Sequence, residues 1–538
     1  MNQYQSINEM WADICHRYYN DKAYTCLGQS LTYGDVDALS EQFASYLQHY
    51  TSLAPGDRLA IQLPNILQYP VVLFGALRAG VVIVNVNPLY TARELKYQLN
   101  DSGAKALVVL KNLAKAAEEV VEKTNVQQVI LTEVADLHSF TKRHLINGVL
   151  RYVKKQVPKC TFPSSITFRK ALSLGRRDPA TRVDSSPDDL CFLQYTGGTT
   201  GVAKGAMLSQ RNLLSNSHQL LEVWSDSLVE KQERFLAPLP LYHIYGFNKH
   251  CLVLPSVGAE SFLIPNARDI DSVIKVLKEN ALSGIIGINT LYVALMNHTE
   301  FASLRLEQLK ICSAGGMALA IDTAKRWHEK TACMVSEGYG LTETSPVISS
   351  NLPTDIQLGT IGKPLPNTDI KVIDDKGNTL ADNEAGELCV RGPQVMLGYW
   401  KNEAATAKVL SDDGWFKTGD IATIDNEGYI SIVDRQKDMI IVSGFNVYPN
   451  EIEGILTSHP EVIEAAVIGV PDANSGEAVK AFLVRTPDSA IEDDELKVFC
   501  RELLTAYKIP RFYEFRDELP KTNVGKVLRR ALRPGDNA

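Results

Sequence analysis

The chain has 538 residues, 45% of them hydrophobic and 22% charged, and its 55 lysines and arginines against 63 aspartates and glutamates leave a formal net charge of −8. This composition is that of an ordinary folded protein, and it excludes disordered, collagen-like and small disulfide-stapled chains. The length predicts about three or four folding units. The acidic balance also argues against a dedicated nucleic-acid-binding protein, which usually carries a positive excess.

Cysteine usage and the chain start indicate the compartment. The nine cysteines are scattered, with no CxxC pair and no compact Cys/His group, which argues against structural zinc and redox disulfides and favours a reduced, cytoplasmic protein. The first residues lack the basic and apolar regions of a secretory signal. The best candidate for a transmembrane segment, 280–299, contains polar residues throughout, so no segment is expected to span a membrane.

Strand-like and helix-like segments alternate through the first 190 residues and again between residues 252 and 288. The β-branched run at 81–84 is typical of a parallel strand covered on both faces. The segments that show the alternation are helices at 36–49, 73–79 and 269–280 and strands at 58–63, 81–84, 252–264 and 284–288. This alternation predicts doubly wound α/β layers.

The pattern changes twice in the C-terminal third. From about residue 356 short strands predict a small β subdomain, and after Asp434 the pattern becomes α+β. The predicted strands are 369–373, 387–391, 421–424, 464–470 and 479–484, and the predicted helices are 449–458 and 493–504. We therefore expect an N-terminal domain at 1–434, made of two doubly wound α/β subdomains and the β subdomain, and an α+β C-terminal domain at 439–538.

One local charge pattern departs from the acidic average. Residues 137–177 contain ten lysines and arginines and no acidic residue. Within them, a helical wheel places apolar residues on one face and Arg151, Lys154 and Lys155 on the other. The apolar residues are Leu145, Ile146, Val149, Leu150, Val153 and Val157. A basic amphipathic helix of this kind at 142–159 fits peripheral contact with an anionic membrane, and it equally fits a surface helix that packs on its own domain.

The segment 195–205 reads Tyr-Thr-Gly-Gly-Thr-Thr-Gly-Val-Ala-Lys-Gly and follows a strand-like run at 190–194. Its glycines let backbone N–H groups turn towards an anion, while the threonine hydroxyls and Lys204 add donors and charge. The spacing is neither that of a Walker A loop nor that of the dinucleotide-binding GxGxxG motif. The segment predicts a polyphosphate cradle that leads into a helix from Ser209.

This loop resembles the phosphate loop of the acyl-adenylating superfamily, which includes acyl-CoA synthetases, luciferases and the adenylation domains of peptide synthetases. Further matches follow in the family's order along nearly the whole chain. They are Pro-Leu-Tyr-His-Ile-Tyr-Gly at 240–246, Ser-Ala-Gly-Gly at 313–316, Gly-Tyr-Gly-Leu-Thr-Glu-Thr at 338–344, Trp-Phe-Lys-Thr-Gly-Asp at 415–420, Asp-Arg-Gln-Lys-Asp at 434–438 and Pro-Lys-Thr-Asn-Val-Gly-Lys at 520–526. The resemblance implies the family's fold, with a large N-terminal domain and a smaller, mobile C-terminal domain.

The resemblance also assigns the nucleotide site. It implies that Glu343 holds Mg²⁺ with Thr196 near the phosphates, that Tyr339 stacks on adenine, and that Asp420 and Arg435 contact the ribose. The residues it places at ATP or AMP are Tyr195, Thr196, Gly197, Gly198, Thr199, Thr200, Gly201, Lys204, Gly315, Gly316, Tyr339, Gly340, Thr342, Asp420 and Arg435.

The resemblance assigns the remaining catalytic and mobile parts to other segments. Lys526 would stabilise charge on the α-phosphate during adenylation. His243 would lie between the acyl site and the phosphates, and Phe247 matches a gate position at the tunnel mouth where some relatives carry Trp. The joint 435–438, with Lys437 at its pivot, would let the C-terminal domain reorient between two half-reactions. The residues that would then line the pantetheine path are Ser443, Gly444 and Phe445.

Within the superfamily, residues 413–453 are similar to the fatty-acyl-CoA synthetase signature, and 85–90, 240–246 and 442–453 are similar to bacterial long-chain fatty acid–CoA ligases. The implied partners are a fatty acid, ATP, CoA and Mg²⁺, and family dimers suggest a homodimer. A medium-chain or aryl acid–CoA ligase is the alternative within the superfamily. The region around Pro240 has no acid for an amino substrate, the chain does not end in Ser-Lys-Leu, and a non-catalytic nucleotide-binding module would be expected to lack Lys526 or Glu343.

Overall fold

The computed structural model describes residues 4–196, 203–443, 445–472, 475–487, 489–522 and 526–533. The strands up to residue 364 are β1 (Lys22–Cys26), β2 (Gln29–Thr32), β3 (Arg58–Gln62), β4 (Val82–Asn85), β5 (Ala106–Leu110), β6 (Gln128–Thr132), β7 (Ser165–Thr167), β8 (Leu190–Thr196), β9 (Lys204–Ser209), β10 (Arg234–Ala237), β11 (Glu260–Leu263), β12 (Gly284–Gly287), β13 (Ile311–Ala314), β14 (Val335–Gly340), β15 (Val347–Ser350) and β16 (Lys363–Pro364). The helices of the same part are α1 (Ile7–Arg17), α2 (Tyr33–Tyr50), α3 (Gln68–Arg78), α4 (Ala92–Ser102), α5 (Ala114–Val120), α6 (Phe140–Gly148), α7 (Phe168–Gly175), α8 (Gln210–Trp224), α9 (Ile244–Phe247), α10 (Ile270–Glu279), α11 (Asn289–Met296) and α12 (Ile321–Thr331).

The remaining elements build a small sheet and the C-terminal part. The strands are β17 (Asp369–Ile373), β18 (Gly386–Arg391), β19 (Gly398–Tyr399), β20 (Phe416–Ile424), β21 (Ile430–Arg435), β22 (Ile440–Val442), β23 (Phe445–Val447), β24 (Val462–Asp472), β25 (Gly476–Arg485) and β26 (Phe512–Phe515). The helices are α13 (Glu403–Val409), α14 (Pro449–Ser458) and α15 (Asp493–Leu503).

Two large sheets form the N-terminal part. One has the order β16-β15-β14-β13-β12-β10-β11-β1-β2, and the other has the order β19-β9-β8-β4-β3-β5-β6-β7. The central strands of each are parallel and are joined through helices, and such strands are buried on both faces, as in β4 and β5, where every residue is buried. The doubly wound α/β prediction is confirmed.

The β subdomain and the C-terminal part also follow the prediction. Strands β17, β18, β20 and β21 form an antiparallel sheet, and β23-β22-β25-β24 form another, with β26 beside β25 and α14 and α15 packed around its own apolar core. Arg435, the first residue of the predicted joint, ends β21 of one sheet, and residues 436–439 connect it to β22 of the other. The domain boundaries at 434 and 439 stay a prediction.

One local prediction was wrong, and one strand was not predicted. The helix expected from Ser209 is confirmed, because α8 begins after its cap Ser209, but residues 204–209 before it form strand β9, which pairs with β8. The segment 252–264, expected to be a strand, is helical up to Val257, and only Glu260–Leu263 is a strand. Helix α3 also begins five residues before 73, and because Gln68 to Leu77 are all buried, it has no polar face to mark its start.

Within the basic segment 137–177, residues 140–153 form α6 and a π-helical turn at Val149–Val153, and none of these residues is buried. The helix expected at 142–159 therefore ends at Val153, and β7 and α7 follow within the same basic segment. Leu145 is 67% exposed and Val153 is 74% exposed, and so are the neighbouring aromatic residues Phe140 (69%) and Tyr152 (74%). The predicted apolar face therefore stays open to solvent at both ends. No helix in the described part of the chain has the length and apolar character needed to cross a membrane.

Candidate active site

The buried carboxylate of Asp420 is the centre of the candidate site. It lies on β20, where it is 6% exposed and pairs in register with Arg435 of β21. The Tyr339 hydroxyl donates a hydrogen bond to Oδ2, and the Arg435 guanidinium lies 3.4 Å from Oδ1. Burial, followed by the charge of Asp420, raises the pKa of Tyr339 well above its usual value. The two predicted ribose contacts and the predicted adenine contact are thus brought together.

Backbone geometry shapes the wall beside Tyr339. Gly340 follows it, and a Cβ there would overlap the carbonyl oxygen of Pro346, so only glycine fits. Gly316 has a φ of +80° and faces open space, whereas the ring of Tyr245 lies 3.0 Å from the position of a Cβ on Gly315. Of these positions, only Gly316 opens onto free space beside the turn.

Glu343 lies in the 3₁₀ turn Thr342–Thr344 and is 7% exposed. The Tyr399 hydroxyl donates to its Oε1 at 2.7 Å, and the Lys204 ammonium lies 4.8 Å from the centre of the Tyr399 ring. Burial raises the pKa of this carboxyl, while Tyr399 and Lys204 oppose the shift. No other side chain in the described part of the chain donates to the carboxylate.

The described residues contain no group of three or more His, Cys, Asp or Glu that could hold a metal ion. Mg²⁺ is usually held by one or two carboxylates together with substrate phosphates and water, not by an all-protein cage. The partly unpaired carboxylate of Glu343 beside the phosphate loop fits that mode of binding.

The phosphate loop is a connection between two paired strands. Thr196 ends β8 and pairs with Lys204 at the start of β9, so both predicted phosphate contacts lie side by side at the base of the loop. The predicted contacts Gly197, Gly198, Thr199, Thr200 and Gly201 lie outside the described residues. The Tyr195 hydroxyl donates to Asp101 at 2.5 Å, so its side chain anchors the loop to α4, and a nucleotide contact of Tyr195 stays a prediction.

Lys526 comes to the same centre from the far end of the chain. Its backbone amide donates to the Thr522 hydroxyl at 3.1 Å, within the turn that carries it. Burial lowers the pKa of its ammonium to about 8, Arg435 adds to the shift by repulsion, and Asp420 opposes it. The predicted ribose contacts Arg435 and Asp420 are thus the largest of the charges that act on Lys526, and Arg529 and Asp438 act on it as well.

An ion-pair network holds the predicted hinge. Arg529 lies 3.2 Å from Asp434, 3.4 Å from Asp438 and 2.6 Å from Glu453, so it joins both ends of the joint to α14. Burial opposes the charge of Arg529, but the ion pair with Glu453 raises its pKa. Burial lowers the pKa of Lys437 to about 8. In this orientation the joint is clamped by residues of the C-terminal part.

His243 caps the short helix α9, where its Nδ1 accepts a hydrogen bond from the Tyr245 amide at 3.3 Å. Burial lowers its pKa to about 4, so the imidazole is neutral near pH 7. The Asn65 side chain binds the backbone on both sides of Pro240, at Leu239 and Leu241, and thereby fixes the approach to His243.

The other predicted channel residues are placed less directly. Phe247 is fully buried against Phe192, with ring centres 4.7 Å apart, so gating by this residue stays a prediction. Phe445 is 56% exposed and stacks on Tyr507, and the Ser443 amide donates to Ser475. Gly444 lies outside the described residues.

Three residues of the site escaped the sequence predictions. Glu337, two residues before Tyr339, accepts a hydrogen bond from the Leu319 amide at 3.1 Å, and burial raises its pKa to about 8. An acidic residue directly before a motif is a signal that could have been noticed. Tyr399 and Arg529 had no such signal, because their partners are far away along the chain. Tyr399 bonds Glu343, 56 residues away, and Arg529 bonds Glu453, 76 residues away.

Comparisons with known proteins agree with the family resemblance found in the sequence, along nearly the whole chain. A family model described as "AMP-binding enzyme" matches residues 11–400, and one described as "AMP-binding enzyme C-terminal domain" matches residues 451–526. Proteins named "Long-chain-fatty-acid--CoA ligase" are 50% identical in Haemophilus influenzae and 49% identical in Escherichia coli O157:H7, and each match covers 99% of this chain and 95% of the relative. The crystal structure of the anthranilate CoA ligase AuaEII in complex with anthranoyl-AMP has a TM-score of 0.86 at 26% identity, over 99% of this chain and 97% of that chain.

Glu337 makes folding stability depend on pH. Its pKa is raised from 4.5 to about 8, so its contribution is complete below pH 4.5 and is lost as the pH rises through about 8. We expect Glu337→Gln, which cannot ionise, to gain stability relative to the unsubstituted protein by up to about 1.4 kcal/mol per pH unit across that window. Unfolding midpoints of both proteins between about pH 5 and pH 8 measure this difference, and parallel curves would contradict it.

Proposed function

Because the chain belongs to the family of AMP-binding enzymes, we propose that it is an acid–thiol ligase that joins a long-chain fatty acid to coenzyme A. Fatty acid and ATP give acyl-AMP and pyrophosphate, and acyl-AMP and CoA then give acyl-CoA and AMP. The names of the relatives that share about half of its residues along nearly their whole length support this substrate.

The observation that carries the proposal is the cluster of Asp420, Tyr339 and Arg435, in which Asp420 and Arg435 also act on the charge of Lys526. The pKa of Lys526 is lowered to about 8, and an anion bound to its ammonium would restore the charge. ATP supplies both chemical features that this arrangement needs, a ribose whose hydroxyls donate to a carboxylate and a phosphate that attracts a cation.

In the adenylation step, an oxygen of the fatty carboxylate forms a bond to the α-phosphorus, and the bond to the bridging oxygen of pyrophosphate breaks with its electron pair. Lys526 stabilises the negative charge that develops on the α-phosphate oxygens. Asp420 accepts from the ribose hydroxyls, and Tyr339 covers the adenine. Thr196 and Lys204, adjacent at the base of the loop, bind the β- and γ-phosphates, and the neutral His243 orients the fatty carboxylate.

Glu343 would hold Mg²⁺ at the phosphates. The ion would neutralise phosphate charge and favour departure of pyrophosphate. Tyr399 keeps the carboxylate in place through its hydrogen bond, and the raised pKa of Glu343 returns towards its usual value when a cation is bound.

The second half-reaction needs a different arrangement of the same cleft. The thiol of CoA attacks the acyl carbonyl carbon, AMP leaves, and the thiol proton is released. We infer that the C-terminal domain turns about Lys437 at 435–438, which removes Lys526 and brings Ser443, Gly444 and Phe445 to the acyl adenylate. The turn must break the contacts of Arg529 with Asp434 and Asp438, which lie at the joint.

Fatty acid-dependent pyrophosphate release tests the proposal. We expect Lys526→Ala to abolish release while thioester formation from supplied acyl-AMP is largely kept, because Lys526 acts only in the first step. Arg530→Ala, which removes an exposed charge four residues later, is the matched control and should keep both steps.

Equal loss of both steps in Lys526→Ala would contradict the division of labour between two orientations. A panel of acids identifies the substrate: release with medium-chain or aryl acids alone would select the alternative ligases, and binding of ATP without release on any acid would indicate a non-catalytic nucleotide-binding module. The homodimer and the cytoplasmic location stay predictions.

We also propose peripheral contact with an anionic membrane through residues 142–159. The exposed Leu145 and Val153 support this reading over packing on the protein's own domain. Lysines and arginines surround them, and Arg151 pairs with Glu133, the only ion pair of this segment in the described chain. An apolar face with a basic flank gains energy from both lipid tails and anionic headgroups.

Sedimentation with liposomes tests the membrane contact. Neutralising Arg151, Lys154 and Lys155 should abolish the extra binding to liposomes that contain anionic lipid, because about 1 kcal/mol per basic residue is lost. Neutralising the exposed lysines Lys325, Lys376 and Lys408 is the control with the same change in charge. Equal binding of the two triple variants would contradict the proposal.

A further inference from the structure

Lys249 is a buried lysine for which the adenylation chemistry has no use. It lies in the π-helical segment Asn248–Val253 that continues α9, and only 2% of the residue is exposed. Its ammonium lies 3.7 Å from the centre of the Trp224 ring and 5.9 Å from that of Tyr245. Burial lowers its pKa well below the usual value, and no acidic group contributes to the shift.

Nothing in the described part of the chain balances this amine. It has no ion pair and no hydrogen bond there, and the two rings nearest to it, Trp224 and Tyr245, belong to one apolar cluster that also contains Leu220, Leu239 and Val253. The Trp224 face contributes about 0.5 to 2 kcal/mol, whereas a buried polar group without a hydrogen bond costs about 1 to 3 kcal/mol or more. A leucine or methionine would serve packing better at this position, so packing does not account for the lysine.

The position of Lys249 connects it to the candidate active site. The helix that carries it begins at His243, beside the reacting carboxyl in the proposed mechanism. Two residues further along, the Tyr245 ring packs on Gly315, and its hydroxyl lies 2.9 Å from the Ser313 hydroxyl. Lys249 lies a further turn along on the side of Tyr245, whereas Phe247 points to the opposite core at Phe192.

An acyl chain bound along this side of the helix would run from the reacting centre through the apolar cluster to the Lys249 amine. An alkyl chain packs favourably against apolar side chains, but an alkyl chain without polar atoms offers the amine no hydrogen-bond partner. A chain that carries an oxygen atom at that depth supplies the missing hydrogen bond.

We propose that Lys249 is a specificity-determining residue of the acyl site and that its amine hydrogen-bonds an oxygen substituent on the chain of the bound acid. This inference rests on the proposed ligase function and narrows its substrates to a class, the oxygenated fatty acids. A neutral amine accepts from or donates to a hydroxyl, and a protonated one pairs with a second carboxylate. The shared chemistry is a polar oxygen within the alkyl chain.

The test compares kcat/KM for pyrophosphate release with palmitic acid, with hydroxypalmitic acids that carry the hydroxyl near, midway along and at the end of the chain, and with the dicarboxylic acid of the same length. We expect at least one oxygenated acid to be preferred over palmitic acid. Lys249→Met should lower the ratio of kcat/KM for the preferred oxygenated acid to kcat/KM for palmitic acid by about tenfold, which is the effect of one buried hydrogen bond. Lys325→Met, which changes an exposed lysine of α12, should leave the ratio unchanged.

A preference for a hydroxy acid would show that the amine binds a neutral hydroxyl, and a preference for the dicarboxylic acid would show that it binds a carboxylate. Either preference supports the inference if Lys249→Met removes it. The same ratio in the unsubstituted protein and in Lys249→Met would overturn the inference, as would a preference for palmitic acid over every oxygenated acid. Thermal unfolding of Lys249→Met shows whether it folds, and we expect it to be at least as stable. Absence of release with every acid, plain or oxygenated, would instead count against the proposed ligase function.

Discussion

A buried carboxylate holds the candidate site together, because it must be balanced by donors that come from distant parts of the chain. Asp420 is almost fully enclosed, and its balance comes from Tyr339 of one α/β subdomain, Arg435 of the neighbouring strand and the charge of Lys526 near the C-terminus. An unpaired charge at this depth would cost several kcal/mol. The orientation of the C-terminal part and the shape of the ribose site therefore depend on the same group.

Arg529 also bears on the predicted hinge. It balances two acidic residues at the joint and one of α14, so the present orientation is stabilised by contacts that the proposed rotation would have to replace. Burial lowers the pKa values of Lys437 and Lys526 to about 8, so neither is fully charged near that pH. In the proposed mechanism, binding of a polyanionic nucleotide restores the charge of Lys526.

The sequence predicted elements well where local pattern decides them. Strand β17 and helix α14 have the bounds expected from alternation and from a helix that begins with proline. Asp420 contacts both Tyr339 and Arg435, which the family resemblance placed at the same nucleotide, and the roles of these residues stay predictions. Strand β9 was missed, because the pairing of Lys204–Ser209 is determined by β8 and not by its own residues.

Residues whose role depends on a distant partner could not be found from the sequence. Tyr399 is a site residue only because it reaches Glu343, and Lys249 stands out only because the fold buries it against Trp224. The exposure of Leu145 and Val153 could not be predicted either, because a helical wheel shows which face of a helix is apolar but not whether another element covers that face.

Titration of ATP into Asp420→Asn, followed by calorimetry, tests the central role of this carboxylate most directly. Asparagine keeps the shape and can still accept from Tyr339, but it removes the charge that holds Arg435 and Lys526 at the ribose. The account predicts that Kd rises by at least about tenfold, as expected for loss of charged hydrogen bonds, while the nucleotide-free protein, although less stable because Arg435 loses its ion pair, still unfolds in one cooperative transition. An unchanged Kd in a folded Asp420→Asn protein would contradict it.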